Sequence, residues 1–187
     1  SHLKEQLSEI VKKFDNPIEL VVIKNGDEKS LEMEGIVKEI ASVSDKLKFS
    51  SYNLGDNPQL EEKIKLNRAP VIALLDKEGN YSGIKYATIP GGHELNSFIL
   101  AMYNVAGPGQ KIGEDTLSKI FNIKNPIDIK IGISLSCTKC PDTVQAAQRI
   151  AVENSNIQIE VIDVFSFKEF KDKYDIMSVP AMVINDE

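Results

Sequence analysis

The sequence predicts an α/β protein of two related halves in tandem, each a mixed β-sheet flanked by helices. Three observations carry this. Strand-length apolar runs rich in Val and Ile alternate with segments whose apolar residues recur at helical spacing. Prolines stand before strand-like runs at Pro17 and Pro126, and again at Pro70 and Pro180, about 110 positions apart in both cases. Between the halves lies Ala106-Gly107-Pro108-Gly109-Gln110, the clearest turn-forming punctuation in the chain. We therefore expect a first unit over residues 1–106 and a second over 111–187.

Taken in order, Leu3, Leu7, Ile10, Val11 and Phe14 define an amphipathic helix that Asp15-Asn16-Pro17 ends. Ile18 to Ile23 is a buried strand, and Leu31, Ile36, Val37, Ile40, Ala41 and Val43 give a helix over about residues 29–44. A second strand follows from Leu47 to Leu54. Asn57-Pro58 opens a short helix, with Asn as cap and Pro in the first turn. Pro70 heads the strand Val71–Leu75, and a proline there can be cis. The turn 76–80 leads to a hairpin strand from Ile84 to Ile89, and Gly91-Gly92-His93-Glu94 leads to a helix with Leu95, Phe98, Ile99 and Met102 inward.

The second half repeats the order. It has a helix marked by Thr116, Leu117, Ile120 and Ile123, and a strand from Ile127 to Ile133. A helix follows from Pro141 to Asn154, then a strand from Ile157 to Val164, a short helix from Phe167 to Tyr174, and a strand over Met182-Val183-Ile184 behind Val179-Pro180. The first half continues past its proline-led strand into a hairpin partner and a helix, whereas the second ends at Asn185-Asp186-Glu187. The second fold therefore reads as incomplete at its C-terminus, and a longer native chain is expected.

Composition narrows the function. The 187 residues carry a net charge of −6, and Lys and Arg are scattered rather than grouped, so the sequence offers no basic surface for a phosphate backbone and nucleic acid is not expected as a partner. No apolar run approaches the ~18 residues of a membrane span, and the N-terminus lacks the basic-then-apolar order of a secretory signal. No membrane association is expected, and a cytoplasmic location is. Two cysteines are too few for a secreted disulfide scaffold.

Both cysteines stand in Ser136-Cys137-Thr138-Lys139-Cys140-Pro141. Two cysteines separated by two residues can close a small disulfide, and at a helix start unpaired N–H groups stabilise a thiolate. The reading is thiol–disulfide exchange, with Cys137 as the attacking sulfur and Cys140 as the resolving one. Lys139 favours the thiolate, and Pro141 fits the first helical turn. A structural zinc would need two further ligands where only His93 and the terminal His2 remain, and covalent haem would need His in place of Pro141. Buried, inert cysteines fit poorly beside Thr138 and Lys139. Glu94 either serves its helix end or reaches across from the first half to tune the dithiol. Asp142 and Asp163 could touch the site, but acids at a helix start or strand end need no function. Aligned by the strands, Glu28 and Leu31 stand near where the second half has Cys137 and Cys140, so the first half has no dithiol.

This order, and in particular Ser134-Leu135-Ser136-Cys137-Thr138-Lys139-Cys140-Pro141-Asp142-Thr143-Val144-Gln145-Ala146 with Val179-Pro180-Ala181 and the Gly92-His93-Glu94 turn, resembles the thioredoxin fold. More particularly it resembles the N-terminal domain of the alkyl hydroperoxide reductase flavoprotein. The resemblance implies two fused thioredoxin-like folds with one active dithiol. It implies electrons taken from a flavoprotein reductase domain of the same native chain, with FAD and NAD(P)H in that parent enzyme, and passed to a peroxiredoxin disulfide. It allows a homodimer of the parent. Cys137 and Cys140 carry over as the redox pair, Pro180 as the cis-proline facing them, and Glu94 as an acid from the silent half. Thr138-Lys139 departs from the His-Asn pair associated with better-known members. No flavin, nucleotide or metal motif stands in these residues themselves. The alternatives are a free-standing tandem disulfide oxidoreductase of the glutaredoxin-like type, which usually carries a dithiol in each half, and a non-catalytic interaction module.

Overall fold

A computed structural model describes all 187 residues. The elements, in chain order, are α1 His2–Val11, β1 Ile18–Lys24, α2 Glu28–Ala41, β2 Leu47–Asn53, α3 Pro58–Lys63, β3 Val71–Leu75, β4 Tyr81–Ala87, α4 Leu95–Ala106, α5 Glu114–Phe121, β5 Ile127–Ile133, α6 Cys140–Glu153, β6 Ile157–Asp163, α7 Lys168–Lys173 and β7 Ala181–Ile184. A single 3-10 turn, Gly92–Glu94, precedes α4.

The strands form one mixed sheet in the order β2-β1-β3-β4-β6-β5-β7. In each half a parallel pair, β1 with β2 or β5 with β6, carries the proline-led strand antiparallel on its other side. The halves meet where β4 and β6 pair in parallel, so the sheet runs unbroken from one to the other. Alternation of side chains sends Leu20, Val22, Ile72, Leu74, Ile131 and Val161 to one face, under α1, α2, α4, α5 and α6. The opposite face receives Val21, Ile23, Val71, Ala73 and Ile162 beneath Leu60 of α3 and Phe170 of α7.

At the seam that second face is charged. Lys85 of β4, Glu160 of β6 and Lys130 of β5 stand in register on adjacent strands, all buried. Burying charge is tolerable only with partners. Glu160 accepts from Arg68 Nε at 2.8 Å and from Asn67 Nδ2 at 3.2 Å, Lys130 pairs with Asp128, and Lys85 donates to the Lys65 carbonyl. Arg68 and Asn67 belong to the first half and Glu160 to the second, so the cluster binds the halves together.

Most expected elements fall within a residue or two of their places, and Asn57 caps α3 by accepting from the Leu60 N–H, 3.2 Å away. Three expectations are corrected. Strand β4 begins at Tyr81 rather than Ile84, because Asp76 Oδ1 accepts from the N–H groups of Glu78 and Asn80 and turns the chain into the strand early. The strand signal is hidden by Gly83, which lies at φ 88° where a Cβ would come 2.9 Å from the Ile157 carbonyl oxygen. Leu3 and Leu31 face outward, Leu31 being 63% exposed; α2 buries Ser30, Met33, Val37, Ile40 and Ala41 instead. The third correction concerns the register between the halves. The strand starts Ile18 and Ile127 differ by 109 positions, but the helix starts Glu28 and Cys140 differ by 112, so the strand-to-helix loop is three residues longer in the second half. Asn25 and Glu28, not Glu28 and Leu31, occupy the places of Cys137 and Cys140.

Candidate redox site

Strand β5 ends at Ile133, and the chain turns through Ser134-Leu135-Ser136 with the Cys137 N–H donating to the Ser134 carbonyl, 3.1 Å away. Lys139 takes the N-cap position and Cys140 is the first residue of α6, one residue earlier than expected, with Pro141 in the first turn. Cys137 and Cys140 form a disulfide, with 5.5 Å between their Cα atoms. Cys137 is partly exposed while Cys140 is 0% exposed, which fits an accessible attacking sulfur and a sheltered resolving one. The Cys140 N–H donates to Cys137 Sγ at 3.1 Å. The Val179-Pro180 bond is cis and sets the Val179 carbonyl oxygen 3.9 Å from the same sulfur.

The first half repeats this frame without sulfur. Ala69-Pro70 is also cis, and Asn25 Nδ2 donates to the Ala69 carbonyl at 3.1 Å, standing toward it as Cys137 stands toward Val179. A groove of about 680 Å³ opens at this silent counterpart, lined by Asn25, Asp27, Arg68, Pro70 and Asp163 among others.

Glu94 stands at the N-cap position of α4, but its side chain makes no capping hydrogen bond. Its side chain is 0% exposed, Oε1 accepts from Ser97 Oγ at 2.7 Å, and Oε2 is buried without a partner. Burial pushes the Glu94 carboxyl above its ordinary range, against the opposing Ser97 hydrogen bond and the charge of His93. Its turn is pressed onto the dithiol loop. The His93 N–H donates to the Leu135 carbonyl at 3.0 Å, and a Cβ on Gly92, which lies at φ 54°, would meet that oxygen at 2.5 Å. Leu135 thus fills the space at Gly92.

The remaining candidates separate. Asp163 accepts from the Phe165 N–H and the Ser166 hydroxyl and holds its own turn, and Asp142 is exposed in the first turn of α6. No group of three or more His, Cys, Asp or Glu side chains is placed to hold a metal ion, and no helix is long and apolar enough to cross a membrane. Sequence reasoning missed Ser97, Gln145, Gln148 and Tyr86, which link Glu94 to α6. The available signal is Gln148, a polar residue on the inward face of α6 with Val144, Ala147 and Ala151.

Two fused thioredoxin-like folds with a dithiol at a helix start, facing a cis-proline, define a thiol–disulfide oxidoreductase module. Comparison with known proteins makes this specific. Residues 127–187 match the family model described as a thioredoxin domain. A solved structure of a variant of the alkylhydroperoxide reductase AhpF from Enterococcus faecalis is 39% identical, with a TM-score of 0.94, and the match covers 100% of this chain and 89% of that one. The separately solved N-terminal domain of the same protein is 38% identical with a TM-score of 0.94, covering 100% and 90%. The corresponding alkyl hydroperoxide reductase protein of Staphylococcus aureus is 33% identical over 99% of this chain and 34% of its own length. The chain belongs to the family of the N-terminal domain of the alkyl hydroperoxide reductase AhpF. It spans about a third of the length of the curated relatives it matches.

Proposed function

We propose that the chain relays electrons from a flavoprotein reductase domain of its parent protein to the disulfide of a peroxiredoxin in the cytoplasm, through Cys137 and Cys140. The carrying observation is the partly exposed Cys137, joined to buried Cys140 at the head of α6 and facing the carbonyl ahead of cis-Pro180. In the forward step the Cys137 thiolate attacks one sulfur of the partner disulfide, whose S–S bond breaks as a mixed disulfide forms. Cys140 gives up its proton, its sulfur bonds to Cys137 Sγ as the Cys137–partner bond breaks, and the partner leaves as a dithiol that has gained two electrons, one proton from Cys140 and one from water. The Cys137–Cys140 disulfide of the structure is the product of this half-cycle.

In this reading Pro180 shapes the surface where the partner chain lies, and Glu94 is the acid that exchanges a proton with the pair. The units 1–106 and 111–187 divide the work: the second reacts, and the first supplies Glu94 and a frame. Met177, 88% exposed and three residues ahead of Pro180, is an apolar side chain of the kind a protein substrate covers. FAD and NAD(P)H belong to the parent enzyme's reductase domain, which supplies the electrons and in which a homodimer would form.

Mass spectrometry after dithiothreitol treatment and native alkylation tests the pair directly. Two alkylated cysteines in the reduced chain and none in the oxidised chain support the relay. Cysteines that stay unreactive after native reduction contradict it.

A further inference from the structure

A buried amide or hydroxyl without a partner costs roughly 1–3 kcal/mol, so apolar residues would be the simpler choice where α6 packs on α4. Instead the two helices place hydrogen-bonded polar side chains among their apolar ones. Gln148 is buried, its Nε2 donates to the Ser97 carbonyl at 2.8 Å, and its Oε1 accepts from the Tyr86 hydroxyl at 2.7 Å. Gln145, one turn earlier, donates from Nε2 to Ser97 Oγ at 3.2 Å, and Ser97 Oγ donates to Glu94 Oε1 at 2.7 Å. The donors therefore run in one direction, from Gln145 through Ser97 to the carboxyl. Both amides sit on the helix that begins at Cys140. One carboxyl oxygen is pinned, and the other, Oε2, is buried and unpartnered.

We propose that Gln145 and Gln148 are positioning residues for the dithiol reaction, acting through Ser97 to hold Glu94 with Oε2 free to exchange a proton with Cys140. The inference rests on the relay reading above. As Cys140 resolves the mixed disulfide, its S–H proton passes to the Glu94 carboxylate. Its sulfur electron pair forms the bond to Cys137 Sγ, and the Cys137–partner bond breaks with its pair leaving on the partner sulfur. The proton then passes from Glu94 to that leaving thiolate or to water. Among the other titratable or charged groups on the packed elements, His93 is on the same turn, Lys139 and Asp142 stand beside Cys140 at the head of α6 with Arg149 and Glu153 further along it, β4 carries Tyr86, Tyr81 and Lys85, and α4 carries only Tyr103 and no charged residue.

Oxidation of the reduced chain by 5,5′-dithiobis(2-nitrobenzoate) in a stopped-flow instrument separates the two sulfurs. The first thionitrobenzoate is released by Cys137 and the second by Cys140. Gln145→Leu removes a donor that favours the carboxylate, so the pH midpoint of the second release should rise by about half a unit while the first release is unchanged. Ser97→Ala should do the same and Ser97→Thr should restore the parent profile. Gln145→Leu added to Glu94→Gln should change nothing further. A second-release profile that Gln145→Leu leaves unchanged while Glu94→Gln alters it overturns the positioning assignment alone. Equal slowing of both releases by Gln145→Leu overturns it too, as general loosening. A second release unaffected by Glu94→Gln overturns the proton-exchange role on which the assignment stands.

Discussion

The backbone N–H of Cys140 points at Cys137 Sγ across 3.1 Å, at the first residue of α6. A donor there, backed by the unpaired N–H groups of the first turn, stabilises negative charge on the outer sulfur. Reduced chain treated with limiting iodoacetamide at neutral pH should be modified at Cys137 before Cys140. Cys140→Ser should keep that reactivity and accumulate the mixed disulfide, and Cys137→Ser should lose on the order of a hundredfold in rate. Peptide mapping by mass spectrometry reads both.

Glu94 gives a second prediction, because a buried carboxyl with a raised pKa links stability to pH. Below the ordinary value of 4.5 both the folded and unfolded states hold the proton, and its contribution to stability is fully present. As pH rises through the raised folded value, that contribution is lost. Glu94→Gln cannot titrate, so in urea titrations it should be more stable than the parent above neutrality while its second sulfur reacts more slowly. A variant whose stability keeps the parent's pH dependence would remove Glu94 as the source.

The charged seam gives a third. Glu160→Ala leaves Arg68 without its carboxylate and removes the negative charge that stands in register between buried Lys85 and Lys130. Removing one member of a buried ion cluster costs roughly 3–5 kcal/mol, and guanidinium unfolding should show it. A loss under about 1 kcal/mol, the worth of an exposed pair, would mean that the cluster does not hold the halves together.

Lys85 sets an alkaline window. Burial lowers its pKa from 10.5 to about 8, against the opposing pull of Glu160 and Asp128. Between those values the unfolded chain binds more protons than the folded one, so stability should rise with pH from about 8, by at most about 3 kcal/mol. Tyr81 and Tyr86, whose burial raises their pKa values, reverse the trend above about pH 10, where the unfolded tyrosines ionise first. Lys85→Met should abolish the rise, and thermal melts at several pH values would show whether it does.

The dithiol is legible in the sequence because its chemistry is local: the Cys-x-x-Cys-Pro run, its strand and its helix start are contiguous. The two proline-led strands are legible for the same reason, and the cis bonds at Pro70 and Pro180 stand where the prolines predict strand starts. The meeting of the halves is not legible, since the β4 and β6 pairing joins segments whose partners no periodicity specifies. Glu94 shows the limit most clearly. Its place before a helix suggests a cap, and only the fold reveals that Leu135 closes over its turn and that Ser97, held by α6, takes its oxygen. The three-residue difference in loop length is likewise invisible until the helix starts are seen, and it moved the silent counterpart of Cys137 to Asn25.

The most direct test of the relay is stoichiometric transfer. Reduced chain is mixed with an equal amount of oxidised peroxiredoxin, quenched by alkylation, and both proteins are weighed by mass spectrometry. A working relay predicts that Cys137 and Cys140 lose both thiols to an internal disulfide while the peroxiredoxin gains two. Retention of both thiols in this chain, with the peroxiredoxin disulfide intact, would contradict it.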